Sequence, residues 1–577
     1  MLPVLLAFLT QVPLTAGIPA DSVEEIRKAA RRAESAFERL ARSLVPLEWG
    51  RSGTRCDEIV GRFCLTYDSG TVYDPPPEDG RVVDARRTAI EALRLAFSYE
   101  PHRLETSGPL VRYLVEDERA SEAVSAARTY AALSRDSIWG PLLLGFALHG
   151  ARDDTASARL FAHALARLPV EDAERIRDIE WLMSSGDRGV YGDADAAQRE
   201  RLEQRLWRFA DPLYLTPGNE SWTEHVSRHV WSRLLEMTPL VRGVLRWGRD
   251  LEQLTVRYGV PAGRTRTWGT VYQEGSLVEH YHPDQLAYFP EDLLDRGAPP
   301  APLPGDSWEL ERSRSRSGFA PLTLRRLQAM SHQVTRFPAG DAVLVRVDGA
   351  MPLDTLASGR VETGLWLLRD GLDQTAAQRG SHDPAGDTVR FHHEAEARPG
   401  EYVYSIEALD GSRLAARARY GITIEAAPPG PALSDPLVAR PYGRGQLPDD
   451  RNHPALDPFT DLVFTASDTI GLFAEIHSLE VGAGGEVHFR VDLSIRQADR
   501  DALPARIVSW LGQRLGLSSP SPPPRVSWEA SAPAGRVIVA TDVRLDGLDS
   551  GNYVIVLDVA DLTTARRTTT RRIIRLR

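Results

Sequence analysis

The chain has 577 residues, more than one hydrophobic core can organise, and the length sets an expectation of roughly three to five domains. Hydrophobic residues at 42% and charged residues at 26% are ordinary globular values, which excludes a chain disordered or membrane-embedded along its whole length. Asp and Glu number 80 against 69 Lys and Arg, a net charge of −11, and this sign is wrong for neutralising phosphates, so no nucleic-acid partner is expected.

Residues 2–9 are almost all apolar, Pro13 breaks any helix, and Leu14-Thr15-Ala16 before Gly17 has the small-residue character of a cleavage site. Residues 1–18 therefore read as a signal peptide, with a buried N-terminal helix as the alternative, and predict a periplasmic or secreted protein. No later stretch approaches the roughly 18 uninterrupted apolar residues of a membrane helix, so no transmembrane segment is expected. Residues 19–80 follow as an N-terminal helix and a cysteine-pair segment. Val23, Ile26, Ala30, Ala33, Phe37, Leu40 and Leu44 recur at three- and four-residue spacing and predict a helix over 22–45. The two cysteines of the chain, Cys56 and Cys64, read as one local disulfide in an exported protein, or as two reduced core cysteines if the chain is not exported. They lack the further ligands of a zinc site.

Residues 81–185 are helical and carry a 34-residue period. Leu144, Gly145, Leu148, Phe161, Ala164 and Pro169 fall at a spacing that shifts back onto Leu110, Leu114, Ala123, Ala127 and Tyr130, and again onto Ala89, Leu93, Ala96 and Pro101. This pattern resembles a tetratricopeptide array, with Ser157 in place of the usual alanine and the first unit only half present. The resemblance implies stacked helix pairs with a concave groove that takes a protein or peptide partner.

Residues 186–292 hold a helix over 196–210, a second helix from Trp222 to Trp231, then Arg246-Trp247-Gly248-Arg249-Asp250 and Tyr258-Gly259-Val260-Pro261. Upstream stands Trp207-Arg208-Phe209-Ala210-Asp211-Pro212. The order resembles the GWxTD domain, with Arg246 for the motif glycine and Arg249 for its threonine. Trp207, Asp211, Pro212, Trp247, Asp250, Tyr258, Gly259 and Pro261 fit the family pattern. The resemblance implies a mixed α/β domain and no particular reaction. Physically, Trp247 offers a large apolar contact, Asp250 can close a turn on backbone N–H groups, and Gly259 ends an expected strand over 254–258 with the φ freedom a tight turn needs.

His225 and His229 lie four apart on the second helix, with Glu224 beside them and His280 and His282 downstream. Zinc peptidases place a glutamate directly after the first histidine, where this chain has Val226. No metal ligand set and no cofactor are assigned. His392-His393 is a strand doublet whose rings point to opposite faces.

A Pro- and Gly-rich linker (293–320) precedes a switch to two-residue periodicity. Strands are expected at 330–337, 342–347, 364–369, 388–393, 402–409 and 420–425, forming a β-sandwich over 321–426. A second sandwich is expected over 432–577, with strands at 460–466, 469–477, 485–493, 537–544, 553–559 and 571–576. The run 482–485 is read as a hairpin turn between the second and third of these. Pro399-Gly400-Glu401-Tyr402 and Ser550-Gly551-Asn552-Tyr553 open similar strands in the two halves, which resemble immunoglobulin-like domains.

The sequence contains neither a nucleophile elbow nor a phosphate loop, so no catalytic residue is assigned. The expected protein is a multi-domain, non-enzymatic binding or scaffold protein of the cell envelope. The alternative is an envelope hydrolase, metal-assisted through His225 and His229, with its site in 186–292.

Overall fold

A computed structural model of the chain describes residues 20–48, 58–65, 77–183, 185–238, 247–259, 261, 263–267, 277–280, 323–369, 373–384, 386–443, 447–498 and 525–577. The expected signal peptide, the 293–320 linker, Cys56 and His282 lie outside these residues, as do the side chains of Cys64 and His280. The fold is helical first and β-rich afterwards. It divides into two compact units, Met1–Met183, Ala210–Pro212 and Gly218–Tyr288 in one, Ser184–Phe209, Leu213–Pro217 and Phe289–Arg577 in the other. The stretch 186–292, expected to form one domain, is thus shared between the two.

The helices in chain order are α1 (Ala20–Ser43), α2 (Gly80–Tyr99), α3 (Leu104–Glu116), α4 (Ala120–Ser134), α5 (Trp139–Gly150), α6 (Asp154–Leu165), α7 (Val170–Arg177), α8 (Ser185–Asp193), α9 (Ala196–Ala210), α10 (Glu220–Glu236) and α11 (Arg249–Tyr258). In the first unit each of α1 to α5 packs on the next. α1 supplies the helix that the sequence period lacks at its start, because the intervening stretch 44–79 breaks the 34-residue spacing. Phe37 of α1 meets the Tyr113 ring edge-on at 5.5 Å, and the buried Arg112 guanidinium donates to Glu34 at 3.3 Å and to Glu116 at 2.9 Å. At Gly145 an added Cβ would fall 2.6 Å from the Phe161 ring, so the residue must be small for α5 and α6 to close. Ser157, the departure from alanine, donates its hydroxyl to the Gly145 carbonyl at 2.8 Å and so carries no unsatisfied polar atom into the core.

Short strands complete this unit. β1 (Leu47–Glu48), β4 (Gly263–Thr267) and β5 (Leu277–His280) make one small sheet, and β2 (Glu58–Val60) pairs with β3 (Phe63–Leu65) as a hairpin turned at Gly61 and Arg62. The expected strand over 254–258 is the second half of α11. Leu251, Leu254, Thr255 and Tyr258 are all buried at helical spacing, and Asp250 and Glu252 sit favourably in the first turn. This amphipathic period outweighs the β-preference of Thr255, Val256 and Tyr258.

In the second unit β6 (Arg326–Ala329), β7 (Ser331–Ala339), β8 (Ala342–Pro352), β9 (Val361–Arg369), β10 (Asp373–His382), β11 (Thr388–Ala397), β12 (Gly400–Leu409) and β13 (Leu414–Ile424) form sheets of order β10-β9-β12-β13-β6 and β11-β8-β7. Val345, Val347, Leu365, Leu367, Ile406 and Ala416 from both sheets share one core. Then follow β14 (Ala432–Leu433), β15 (Leu437–Ala439), β16 (Val463–Phe464), β17 (Thr469–His477), β18 (Glu486–Gln497), β19 (Arg525–Pro533), β20 (Val537–Arg544), β21 (Gly551–Asp561) and β22 (Arg567–Leu576). Their sheets run β14-β17-β15, with β20 on β17, and β16-β22-β21-β18-β19. The 482–485 turn is closed by a bridge between Val481 and Val487, but β17 and β18 belong to different sheets, so it opens a crossover and not a hairpin between them. The earlier and later sheets of this unit meet through polar contacts: the Gln333 amide donates to the carbonyls of Val438 (2.9 Å) and Phe459 (2.6 Å), and Arg336 chelates Asp435 at 2.8 and 3.0 Å.

Candidate functional site

α10 carries the densest group of buried ionisable residues among those singled out in the sequence. Asn219 caps it, its side-chain oxygen accepting the Trp222 N–H at 2.9 Å. Val226, Val230 and Leu234 join the core of the helical array, and α10 packs on α3, α5 and α6. Trp231 meets Phe146 edge-on at 5.6 Å and donates its indole N–H to Glu116 at 3.2 Å, while Trp222 meets Phe161 at 6.4 Å. Part of the surface of α3, α5 and α6 is thus covered by a helix of the same chain.

Glu224, Thr223 and Arg228 make a continuous, partly buried chain of hydrogen bonds with the array. His149 of α5 is held between Asp154 at its Nδ1 and Glu224 at its Nε2, both at 2.6 Å. Thr223 donates to the same Asp154 oxygen at 3.1 Å. Glu224 also accepts from Arg228 Nε, and Arg228 Nη1 donates to the Arg257 carbonyl at 2.7 Å. Burial opposes charge on His149, but the two carboxylates outweigh it and raise its pKa to about 10. Burial likewise works against the Glu224 carboxylate, and Arg228 and His149 overcome it, holding its pKa well below the usual range. The result is two carboxylates and two cations whose charges cancel, with the guanidinium capping the negative end of α11.

Of the family-like residues, Trp247 and Asp250 lie at one end of that ten-residue helix, roughly 15 Å long, and Tyr258 and Gly259 at the other. At its C-terminus Tyr258 is buried and Gly259 has φ +70°, with an added Cβ only 3.1 Å from Arg228 Nε. At its N-terminus Asp250 accepts from Arg62 Nε at 2.6 Å, Arg62 Nη2 at 2.8 Å, Arg62 N at 3.3 Å and Leu251 N at 2.9 Å. The Arg62 hydrogen bonds come first among the causes that lower the Asp250 pKa to about 2. Trp247 packs beside Leu235, Leu251, Phe63 and Trp231. Pro261 is half-buried, Asp211 and Pro212 are buried in the first unit, and Trp207 belongs to the second.

The two histidines are brought together. Their rings lie 4.7 Å apart, edge to face, and His225 Nε2 hydrogen-bonds the Ile176 carbonyl at 2.8 Å. Burial drives the His225 pKa down to about 4, and burial with the neighbouring His225, Arg175 and Arg233 drives that of His229 well below its usual value. Among the described residues no group of three or more His, Cys, Asp or Glu is placed to hold a metal ion. Also among them, no helix is long and apolar enough to cross a membrane.

Sequence reasoning missed Arg62, His149, Asp154 and Arg228. The four-residue spacing of Glu224 and Arg228 was a usable signal for an ion pair on one helix face. The partners on α5 and in the β2–β3 hairpin are contacts across long sequence separations, which leave no local mark.

No protein-family model matches the chain, and no curated protein matches it. Among solved structures, a β-glucuronidase of Bacteroides uniformis is similar at TM-score 0.16 and 8% identity, over 41% of this chain and 26% of that one. The Escherichia coli α2-macroglobulin is similar at TM-score 0.15 and 12% identity over 43% of this chain. The match covers 22% of its elastase-activated form and 17% of its native form. The chain thus spans about a quarter or less of the length of each, and similarity at this level fixes neither fold nor activity.

Proposed function

We propose that the chain is a non-enzymatic binding or scaffold protein of GWxTD type, acting in the cell envelope or after secretion. One observation carries this reading: His149, Glu224 and Arg228 satisfy one another and the backbone in a single hydrogen-bonded chain between α5, α10 and α11. Catalytic acids and bases are poised to exchange protons with a substrate, whereas His149 and Glu224 are driven away from neutral pKa values by each other. The compartment follows from the apolar segment at residues 2–9. A protein or peptide partner in a groove of the helical array would bind beside α10 or displace it from α3, α5 and α6.

A metal-assisted hydrolase remains the second reading, favoured by the adjacent His225 and His229 rings and by His229 Nε2, buried without a hydrogen-bond partner among the described residues. The deciding experiment assays the purified full chain against ester, phosphate, glycoside and peptide model substrates, with zinc analysis of the same sample. The scaffold reading expects no turnover and no stoichiometric zinc. Turnover abolished by His225→Ala or His229→Ala would replace it with the hydrolase.

A further inference from the structure

The outer face of the β16-β22-β21-β18-β19 sheet carries a group of arginines that pair with no carboxylate among the described residues. Along β22, Thr570, Ile574 and Leu576 are buried, so the alternate residues Arg567, Thr569, Arg571, Ile573 and Arg575 stand on the opposite face. The register places Val554 of β21 opposite Ile573 and Arg496 of β18 opposite Val554, which brings Arg496 into the same field. Arg567, Arg571, Arg575 and Arg496 are exposed. None of the four pairs with a carboxylate among the described residues; the one side-chain partner among them is the Ser494 hydroxyl, at 3.2 Å from Arg496 Nε. Two carboxylates on this face are paired with other arginines, Asp492 with Arg525 at 3.0 Å and Glu529 with Arg490 at 3.1 Å, while Asp558 accepts the Thr569 hydroxyl and keeps its charge within the line.

The arginines of β22 are four residues apart, so the line of three spans roughly 27 Å, and Arg496 lies about 10 Å to the side. In a chain with net charge −11, carboxylates were abundant enough to cover these cations. Between Arg571, Arg575 and Arg496 sits an aliphatic pair, Ile573, 48% exposed, and the half-buried Val554. We infer that this face docks on an anionic phospholipid surface. Guanidinium groups match phosphate with paired hydrogen bonds, and Ile573 with Val554 supplies an aliphatic contact at the boundary between headgroups and acyl chains. That pair is what favours a lipid surface over a linear polyanion, which offers nothing for an aliphatic side chain to enter. The inference rests on this surface alone, and a reaction found elsewhere in the chain would leave it standing.

The test is sedimentation of the full chain with neutral phosphatidylcholine vesicles and with vesicles containing phosphatidylglycerol. Binding is expected to the anionic vesicles only and to vanish at high salt. Each Arg→Gln change at 571, 575 and 496 should weaken binding about fivefold, the triple variant about a hundredfold, and Ile573→Ser should weaken it further. Unchanged thermal melting of the variants shows that the sheet is intact. Equal binding to neutral vesicles, no binding to either kind, or full binding by the triple variant overturns the inference. So does arginine-dependent capture on an anionic polysaccharide resin by a chain that ignores the vesicles.

Discussion

Arg62, at the turn of the β2–β3 hairpin, chelates Asp250, at the start of α11, through two hydrogen bonds of 2.6 and 2.8 Å. The motif aspartate thus fastens a hairpin 188 residues earlier in the chain. Gly61 makes the approach possible, since a Cβ there would fall 2.4 Å from that of Asp250.

Asp250→Asn should destabilise the first unit by about 1 kcal/mol, a small figure because Arg62 is 49% exposed and solvent screens the pair. The Asp250 pKa is lowered from 3.8 to about 2, so its contribution is present above pH 4 and lost as pH falls toward 2. A double-mutant cycle with Arg62→Gln measures the coupling, and a value near zero would show the contact to be inert.

His149 acts with the opposite sign. Its pKa rises from 6.5 to about 10 on folding, so its stabilisation is complete below pH 6.5 and disappears as pH rises through 10. The wild-type melting temperature should fall more steeply between pH 7 and 10 than that of His149→Gln. At neutral pH the variant, which leaves Asp154 without its cation and Glu224 with Arg228 alone, should lose about 3 kcal/mol. Parallel pH profiles for the two proteins would show that the imidazole is uncharged.

His225 and His229 fold as neutral rings, with pKa values below 6.5. Stability is therefore complete above pH 6.5 and declines as pH falls, when the unfolded state takes up protons that the folded state resists. His229→Leu should retain its melting temperature to lower pH than the wild type, and thermal denaturation between pH 7 and 4.5 checks this.

Gly259→Ala should cost about 1–3 kcal/mol, because the backbone at φ +70° and ψ −139° disfavours any Cβ and the new atom meets Arg228. Chemical denaturation measures it. An equal loss from Ala on an Arg228→Met background would assign the cost to the backbone alone.

In the second unit Arg419 and Glu407 form a fully buried pair at 3.0 Å. Arg419 also donates to the Phe209 carbonyl and lies 4.1 Å from the Tyr214 ring centroid, and Glu407 accepts the Leu215 N–H at 3.0 Å. Arg419→Met alone should cost about 3–5 kcal/mol, and adding Glu407→Leu should restore part of it by removing the stranded charge. Additive losses in urea denaturation would count against the pairing.

The helices and most long strands were legible because burial imposes periods of 3.6 and 2 on the side chains that face a core. Residues 364–369 and 402–409 were read as strands and lie in β9 and β12. β10 was missed because Asp373–His382 is largely polar and exposed, so no apolar alternation marks it. The segment 254–258 was misread because Thr255, Val256 and Tyr258 favour strands in isolation, whereas the buried stripe they share with Leu251 is helical. At the site, the adjacency of His225 and His229 was readable from their spacing. What surrounds them was not: Arg175 reaches His229 from α7, and the Ile176 carbonyl reaches His225 from the same helix.

The placement of α10 bears on how the chain is made. Ribosomal synthesis releases α1 to α6 first, and several seconds of elongation separate α6 from the helix that covers α3 and α5. Throughout that interval the apolar residues awaiting Val226, Val230 and Leu234 face the surroundings, and a nascent chain stalled there presents an adhesive patch to chaperones or to its neighbours on the polysome.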